Sequence, residues 1–272
     1  MRPRPLCTVE LLCVGNELLI GKTLNTNARW LASQIAKLGG RVSKETTVED
    51  NLQGIASSLR EALRRKPDMI ITTGGLGPTH DDMTLRGLAK AIHRPVQLNR
   101  TAIEFMKVHY RRIAPGETIH LNRPRLKMAR LPLWSKPVVN PVGSAPAVLT
   151  EKGRTKIICL PGVPKEMRAI FKSSIAPMIR ARTGEASYYD KSIMVQGIVE
   201  SELSPIIDRA MNRYPNVFIK SHPRGGRGLK RSKLELHFSA TSSDERETRE
   251  EILKAVRTVV KPLASRKGVH VS

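Results

Sequence analysis

Residues 68–84 read DMIITTGGLGPTHDDMT, and the order of residue types along them decides the fold. Asp68–Thr73 is short and almost wholly apolar, the pattern of a strand buried on both faces of a parallel sheet. Gly74, Gly75 and Gly77 then break the chain, and a helix is expected from about Met83 to Ile92. Strand, glycine-rich loop and helix in that order form the repeating unit of open α/β sheets, whose ligands sit where the loop leaves the strand.

The unit repeats upstream. Thr8–Val14 (TVELLCV) reads as a strand ending in Gly15, and Asn25–Leu38 as a helix with Leu31, Ile35 and Leu38 at helical spacing before a Gly39-Gly40 stop. Arg41–Val48 reads as a second strand, and Asn51–Arg65 as a helix with Ile55, Leu59 and Leu63 on one face. This β-α-β-α-β succession calls for a parallel sheet with right-handed crossovers. Downstream, Arg100–Arg112 reads as a helix, and prolines at 115, 124, 132, 137 and 141 then predict an extended loop or hairpin excursion. Ala147–Thr150 and Thr155–Leu160 read as strands joined by a polar turn at Gly153, and Pro164–Ile179 as a helix with proline near its first turn.

A composition change at Thr183-Gly184-Glu185 divides the chain into an α/β domain, 1–184, and a small α+β domain, 185–272. The second part reads as strand Lys191–Val195, helix Ser201–Arg213, strands Val217–Ser221 and Lys233–Ala240 about a Gly-rich turn, and helix Asp244–Val260 opened by Ser243 or Asp244.

Of the 272 residues 40% are hydrophobic, enough for a packed core and too many for a disordered basic tail. The longest apolar runs, Leu11–Val14 and Met69–Thr73, are strand-sized, against about 20 residues for a membrane-spanning helix. No apolar stretch follows the basic MRPRPLC start, and Cys7, Cys13 and Cys159 lack CxxC spacing. A reducing, cytoplasmic setting without a membrane is expected. The 47 Lys+Arg against 24 Asp+Glu leave a charge of +23, and 31 of the basic but only 13 of the acidic residues fall within 1–184.

The 72–82 loop carries the first candidate chemistry. Its glycines let backbone amides approach a phosphate, and the helix that follows adds positive potential at its N-terminus. Thr73, Gly74, Gly75, Leu76, Gly77, Pro78 and Thr79 are therefore candidate ligand contacts. The adjacent Asp81 and Asp82 would repel a phosphate unless a divalent cation lay between, which makes them candidate catalytic residues and metal ligands for Mg²⁺, Mn²⁺ or Co²⁺. Their alternative role is to cap the next helix.

The segment Gly15-Asn16-Glu17, continuing to Asn25 and Asn27, leaves the first strand at the same sheet edge. Glu17 could add a metal oxygen or bind a ribose hydroxyl; Asn25 could cap its helix, bind ligand, or both. Two later loops supply Gly143 and Ser144 in NPVGSAPA, and Pro161, Gly162 and Lys165 in LPGVPKEM, with Lys165 a candidate point charge on a leaving phosphate. The sequence has no GxSxG, HExxH or GxxxxGK[ST] pattern.

In this order, GNELLIGKTLNTNARWLA (15–32), TTGGLGPTHDDMT (72–84), NPVGSAPA (140–147) and LPGVPKEM (160–167) resemble signatures of the molybdopterin-binding, or MoCF biosynthesis, domain family, and within it the CinA-like, competence/damage-inducible branch. IKSHPRG (219–225) and LELHFSA (234–240) resemble that branch's KH-like small domain. Many bacterial members have Asp or Thr where this chain has Asn16. The resemblance implies a three-layer α/β sandwich with a mostly parallel, MogA/MoaB-like sheet and a ligand over the Gly-rich loop; such proteins are often oligomeric, so a homo-oligomer is expected. For CinA-like N-terminal domains it implies metal-dependent hydrolysis of the diphosphate in ADP-ribose. Full-length bacterial members add a domain that deamidates nicotinamide mononucleotide. With the sequence ending at Ser272, that domain is expected to be lacking.

Two other readings compete with a hydrolase. The same loops could bind a phosphorylated nucleotide or pterin without turnover. A charge of +23 also suggests nucleic acid, but Gly225-Gly226-Arg227-Gly228 lies between two strands, whereas a KH module clamps nucleotides with a GxxG loop beside a helix. Aromatics at 4% leave few stacking platforms. The basic residues from Arg100 to Lys136 are then read as a field that draws in an anionic nucleotide.

Overall fold

The computed structural model describes residues 7–184, 186–225, 232–242 and 244–272. They fall into two compact units, one of residues 7–36 and 40–182, the other of residues 37–39 and 183–272.

The first unit runs β1 (Thr8–Val14), α1 (Asn16–Leu19), α2 (Thr26–Lys37), β2 (Arg41–Val48), α3 (Leu52–Arg65), β3 (Met69–Thr73), α4 (Thr84–Ile92), β4 (Val96–Leu98) and α5 (Arg100–Ile113). It continues with α6 (Arg123–Met128), β5 (Arg130–Pro132), β6 (Lys136–Val138), β7 (Ala147–Lys152), β8 (Thr155–Leu160), α7 (Pro164–Ile170), a π-helical turn at Phe171–Ile175 and α8 (Ala176–Thr183). Six strands form one sheet in the order β2-β1-β3-β8-β7-β6. β2, β1, β3 and β8 are parallel, and β7 alone runs against both its neighbours.

Helices cover both faces, which is why β3 is buried at every position. Leu12, Val14, Ile70, Val148, Ile157 and Cys159 share one core with Ile55 and Leu59 of α3, Leu88 and Ile92 of α4 and Met106 of α5. The alternate residues Leu11, Cys13, Ile71, Ile158 and Leu160 are buried toward the opposite face, as are Leu31 and Ile35 of α2 and Met167, Ile170 and Phe171. Trp30 of α2 meets Phe171 edge-on at 5.3 Å. The result is a three-layer sandwich.

The Pro-rich stretch is more regular than an extended excursion. Asn122 accepts from the Arg125 amide at 3.1 Å and caps α6, with Pro124 in the first turn, where its missing N–H has no helical partner to lose. Pro137 lies in β6, at the edge of the sheet, where a strand tolerates proline.

The second unit holds β9 (Ser187–Gln196), α9 (Glu200–Arg213), β10 (Phe218–Pro223), β11 (Lys233–Ser242), α10 (Glu245–Ala264) and β12 (His270–Val271). Its antiparallel sheet has the order β10-β11-β9-β12. Alternating Leu234, Leu236, Phe238 and Ala240 bury one face against Leu203 and Ile207 of α9 and Ile252 and Val259 of α10. The short β12 has no counterpart in the sequence reading. Asp244 opens α10 by accepting from the Glu247 amide at 2.9 Å, while Ser243 and residues 226–231 of the Gly-rich turn lie outside the described residues.

Candidate functional site

Parallel strands deliver their following loops to one edge. Gly15 follows β1, Asp50 follows β2, the Gly74–Asp82 loop follows β3, and Pro161-Gly162 follows β8. The reversal of β7 brings a fifth loop there: Val148 pairs with Cys159, so residues 140–146, which lead into β7, arrive at the edge that β8 leaves.

Bare backbone lets these loops meet. A Cβ built on Gly74, at φ 97°, would lie 2.2 Å from the Val14 carbonyl oxygen. Its amide donates to Leu160 O at 3.1 Å, so the loop is stitched between the ends of β1 and β8. Thr84, buried at the start of α4, donates its hydroxyl to Gly74 O at 2.8 Å and its amide to Gly75 O at 3.1 Å.

The loops enclose a cleft of about 520 Å³. Of the residues singled out by sequence, Gly15, Glu17, Asn25, Asn27, Thr73, Gly74, Gly75, Leu76, Gly77, Pro78, Asp81, Asp82, Ser144, Pro161 and Gly162 line it. Asn16, Thr79 and Gly143 do not line it. Asn16 donates its amide to Asp50 Oδ2 at 2.8 Å and accepts from the Asp50 amide at 3.3 Å. Gly143 leaves room for Glu166, whose carboxyl carbon would lie 2.2 Å from a Cβ there. Lys165 is exposed and does not line the cleft, because the helical phase of α7 gives the inward position to Glu166. Asn140 donates to Glu166 Oε2 at 2.6 Å and holds it in place.

Asn25 caps α2, accepting from Ala28 N at 3.1 Å, and donates to Glu45 Oε1 at 2.9 Å. Asn27 donates to Gly162 O at 2.7 Å, tying α2 to the loop after β8. Neither Asp81 nor Asp82 caps α4: its N-cap is Met83, with no side-chain cap bond among the described residues.

The acids gather instead around Thr79. The Thr79 amide donates to Asp82 Oδ2 at 2.8 Å, and its hydroxyl faces both Asp82 Oδ2, at 2.6 Å, and Asp81 Oδ1. One hydroxyl proton cannot serve two carboxylates, so the pair retains an excess of negative charge. The Thr79 hydroxyl, helped by Asp81's own amide and by His80 and Lys127, holds the Asp81 carboxyl below its ordinary range. Burial pushes the Asp50 carboxyl up; the bond from the Asn16 amide opposes this, and the charges of Glu17, Asp81 and Asp82 add to the rise. Four carboxylates thus share one field.

Asp50 escaped the sequence reading, although its position directly after a parallel strand marks it by the same rule that marked Gly15 and Gly74. Glu166 stood inside a quoted motif, hidden by the more conspicuous Lys165.

Among the described residues no three His, Cys, Asp or Glu side chains already gather as a metal set. The donors present are hard carboxylate oxygens, and Mg²⁺-type ions are commonly held by one or two such groups with substrate phosphate and water completing the shell. The residues therefore fit a divalent ion that arrives with its ligand, and Asp81 and Asp82 would hold it.

A helix-covered, mostly parallel sheet with a glycine loop and acids at its carboxyl edge defines an α/β ligand-binding domain. The chain belongs to the family described as the probable molybdopterin binding domain, whose profile matches residues 10–181. It is similar to an archaeal protein of Pyrobaculum arsenaticum, 36% identical over 96% of this chain and 97% of the relative. A protein of Aeropyrum pernix is 40% identical over 92% and 91%. The crystal structure titled as the protein CinA with unknown function from Thermoplasma acidophilum is 38% identical and covers 63% of this chain and 98% of its own, with a TM-score of 0.58. Among the described residues no helix is long and apolar enough to cross a membrane.

Proposed function

We propose that the cleft binds a nucleotide or pterin through its phosphate groups and, with a divalent ion, hydrolyses a nucleotide diphosphate such as ADP-ribose. The observation that carries this reading is the juxtaposition of Asp81, Asp82, Glu17 and Asp50 with the bare backbone of Gly74–Gly77 in one cleft of about 520 Å³, a size suited to a small-molecule ligand. Acids alone would reject a phosphate; acids with a cation and loop amides receive one.

In this reading water adds to one phosphorus, the bridging P–O bond breaks, and AMP and ribose 5-phosphate leave. A bound divalent ion supplies charge neutralisation on the diphosphate and a more acidic water. The chain does the rest. Gly75 and Gly77 expose backbone to the phosphates, Asp81 and Asp82 are positioned by Thr79, and Asp50, which lines the same cleft, is the group to take a proton from water.

The test is ADP-ribose turnover with Mg²⁺, Mn²⁺ or Co²⁺ for the wild type and for Asp82→Asn. A rate unchanged by the substitution sinks the assignment of Asp82. A second reading is binding without turnover, which the same glycine loop and cleft would serve. Tight retention of ADP-ribose with no AMP released would select it.

A further inference from the structure

The strip Gly75–Gly77 has a second side. Behind it lies another hollow, of about 210 Å³, which shares Gly75, Leu76, Gly77, Asp82 and Met128 with the cleft. Leu76, Leu85 and Met128 are buried in its lining, and Arg86, Lys127 and Arg130 bring three cations to it against the single acid Asp82.

Like charges brought to one hollow need a reason, since each raises the cost of the others. Three other arginines of this region are occupied. Arg112 donates to Pro141 O at 3.0 Å, and Arg125 donates to His120 O at 3.1 Å while lying 4.3 Å over the Tyr110 ring. Arg94 donates to Thr150 Oγ1 and Glu151 O, both at 2.8 Å. Among the described residues the side chains of Arg86 and Arg130 have no hydrogen-bond or ion-pair partner. Lys127 donates to Thr79 O, the residue that organises Asp81 and Asp82, and so links the two hollows. Burial holds its ammonium below the ordinary lysine range; Asp82 and Asp81 pull the other way, and Arg86 adds to the depression.

We infer that this hollow is an anion subsite, in which Arg86, Lys127 and Arg130 hold a phosphate monoester of the same ligand whose diphosphate lies in the cleft. The placement of that ligand rests on the function proposed above; the affinity of the hollow for an anion does not. Guanidinium groups grip phosphate oxygens in pairs, and an apolar floor strengthens that grip by excluding water. The subsite narrows the substrate class to nucleotides or pterins with a phosphate remote from the diphosphate, such as ADP-ribose phosphorylated at a ribose hydroxyl, over ADP-ribose itself.

The full chain is titrated calorimetrically with inorganic phosphate at fixed ionic strength and without divalent ions. Wild type is compared with Arg86→Gln/Arg130→Gln, with the charge-keeping Arg86→Lys/Arg130→Lys, and with Asp81→Asn. The glutamine pair is expected to weaken phosphate by about tenfold or more, the lysine pair to recover much of the loss, and Asp81→Asn to leave binding equal or tighter. No phosphate binding by the wild type, equal binding by the glutamine pair, or a loss confined to Asp81→Asn overturns the subsite. A second measurement compares turnover of ADP-ribose and its 2′-phosphorylated form with Mg²⁺. The phosphorylated form is expected to have the lower KM in the wild type only, and the same preference in the glutamine pair overturns the assignment. If neither compound is hydrolysed while the phosphate titration behaves as expected, the proposed hydrolase fails and the subsite stands.

Discussion

A Cβ built on Gly77 would lie 2.6 Å from Asp82 Oδ2, so the carboxylate rests against the bare backbone of the loop. Gly77 is not among the glycines at positive φ, and its role is therefore the room it leaves and not a special backbone conformation. Gly77→Ala should displace Asp82 with little effect on folding. Turnover of ADP-ribose is expected to fall by about 10²-fold, as an ångström-scale misplacement of a reacting group can cost, while the melting temperature stays within a few degrees. Wild-type turnover in the alanine variant would show that Asp82 need not sit there.

Gly74 makes the opposite case. Its φ of 97° is unfavourable for any side chain, and an added Cβ would meet the Val14 carbonyl oxygen at 2.2 Å, an obstacle made of backbone that no rotamer change removes. Gly74→Ala should destabilise the first unit by about 3 kcal/mol or more, read by denaturant unfolding.

Asp50 should carry a measurable trade between stability and ion binding. Its folded carboxyl is raised, first by burial and then by Glu17, Asp81 and Asp82. A raised acid binds its proton more tightly in the native state, so its contribution favours folding at low pH and is lost as pH rises through and just above the ordinary carboxylate range. Asp50→Asn keeps an oxygen for the Asn16 amide but removes the charge. It is expected to raise the melting temperature at neutral pH, flatten this part of the pH–stability curve, and weaken Mg²⁺ binding measured by calorimetry.

The ion pair of Glu10 and Arg65 lies away from the site. Glu10 is 4% exposed in β1 and takes two bonds from the guanidinium, from Nε at 2.8 Å and from one terminal nitrogen at 2.7 Å. Arg65→Ala would strand a buried carboxylate at a cost of about 3 kcal/mol, whereas replacing both residues together, Glu10→Leu with Arg65→Met, should recover much of that loss. Chemical denaturation of the single and double variants separates the two outcomes.

All three thiols should be silent in the native protein. Burial pushes Cys7 up to about 11 and Cys159 up to about 12, and raises Cys13 as well. At pH 7–8 a thiol reagent is expected to label none of them until denaturant is added, because the thiolate is the reacting form. Fast labelling of any one would contradict its burial.

What the sequence made legible depended on how local each signal was. β1 is an apolar run that ends at Gly15 and β2 opens directly after the Gly39-Gly40 stop, and Asn51 and Asp244 announced their helices through side chains that cap within three residues. The Pro-rich stretch misled because proline reports what a residue cannot do, and an edge strand or a first helical turn asks nothing that proline lacks. The cleft was legible where glycines and acids adjoin in sequence. Asp50 and Glu166 join it, and Arg86, Lys127 and Arg130 meet at the neighbouring hollow, through strand order and helix phase, which separate residues in the chain and reunite them in space. Within the bulk charge of +23, Arg94, Arg112 and Arg125 are taken up by carbonyls, a hydroxyl or a ring, while Arg86, Lys127 and Arg130 line one hollow.

The lone reversed strand has a use for protein engineering. Because β7 enters at the ligand edge and β8 returns to it, the turn between them, Lys152 to Thr155, is carried to the far end of the sheet. Gly153 there has no atom within 4 Å of where a Cβ would go. A tag, reporter peptide or new pair of chain ends could be placed at this turn, as far from the ligand as the hairpin reaches, leaving all the loops that form the cleft uncut.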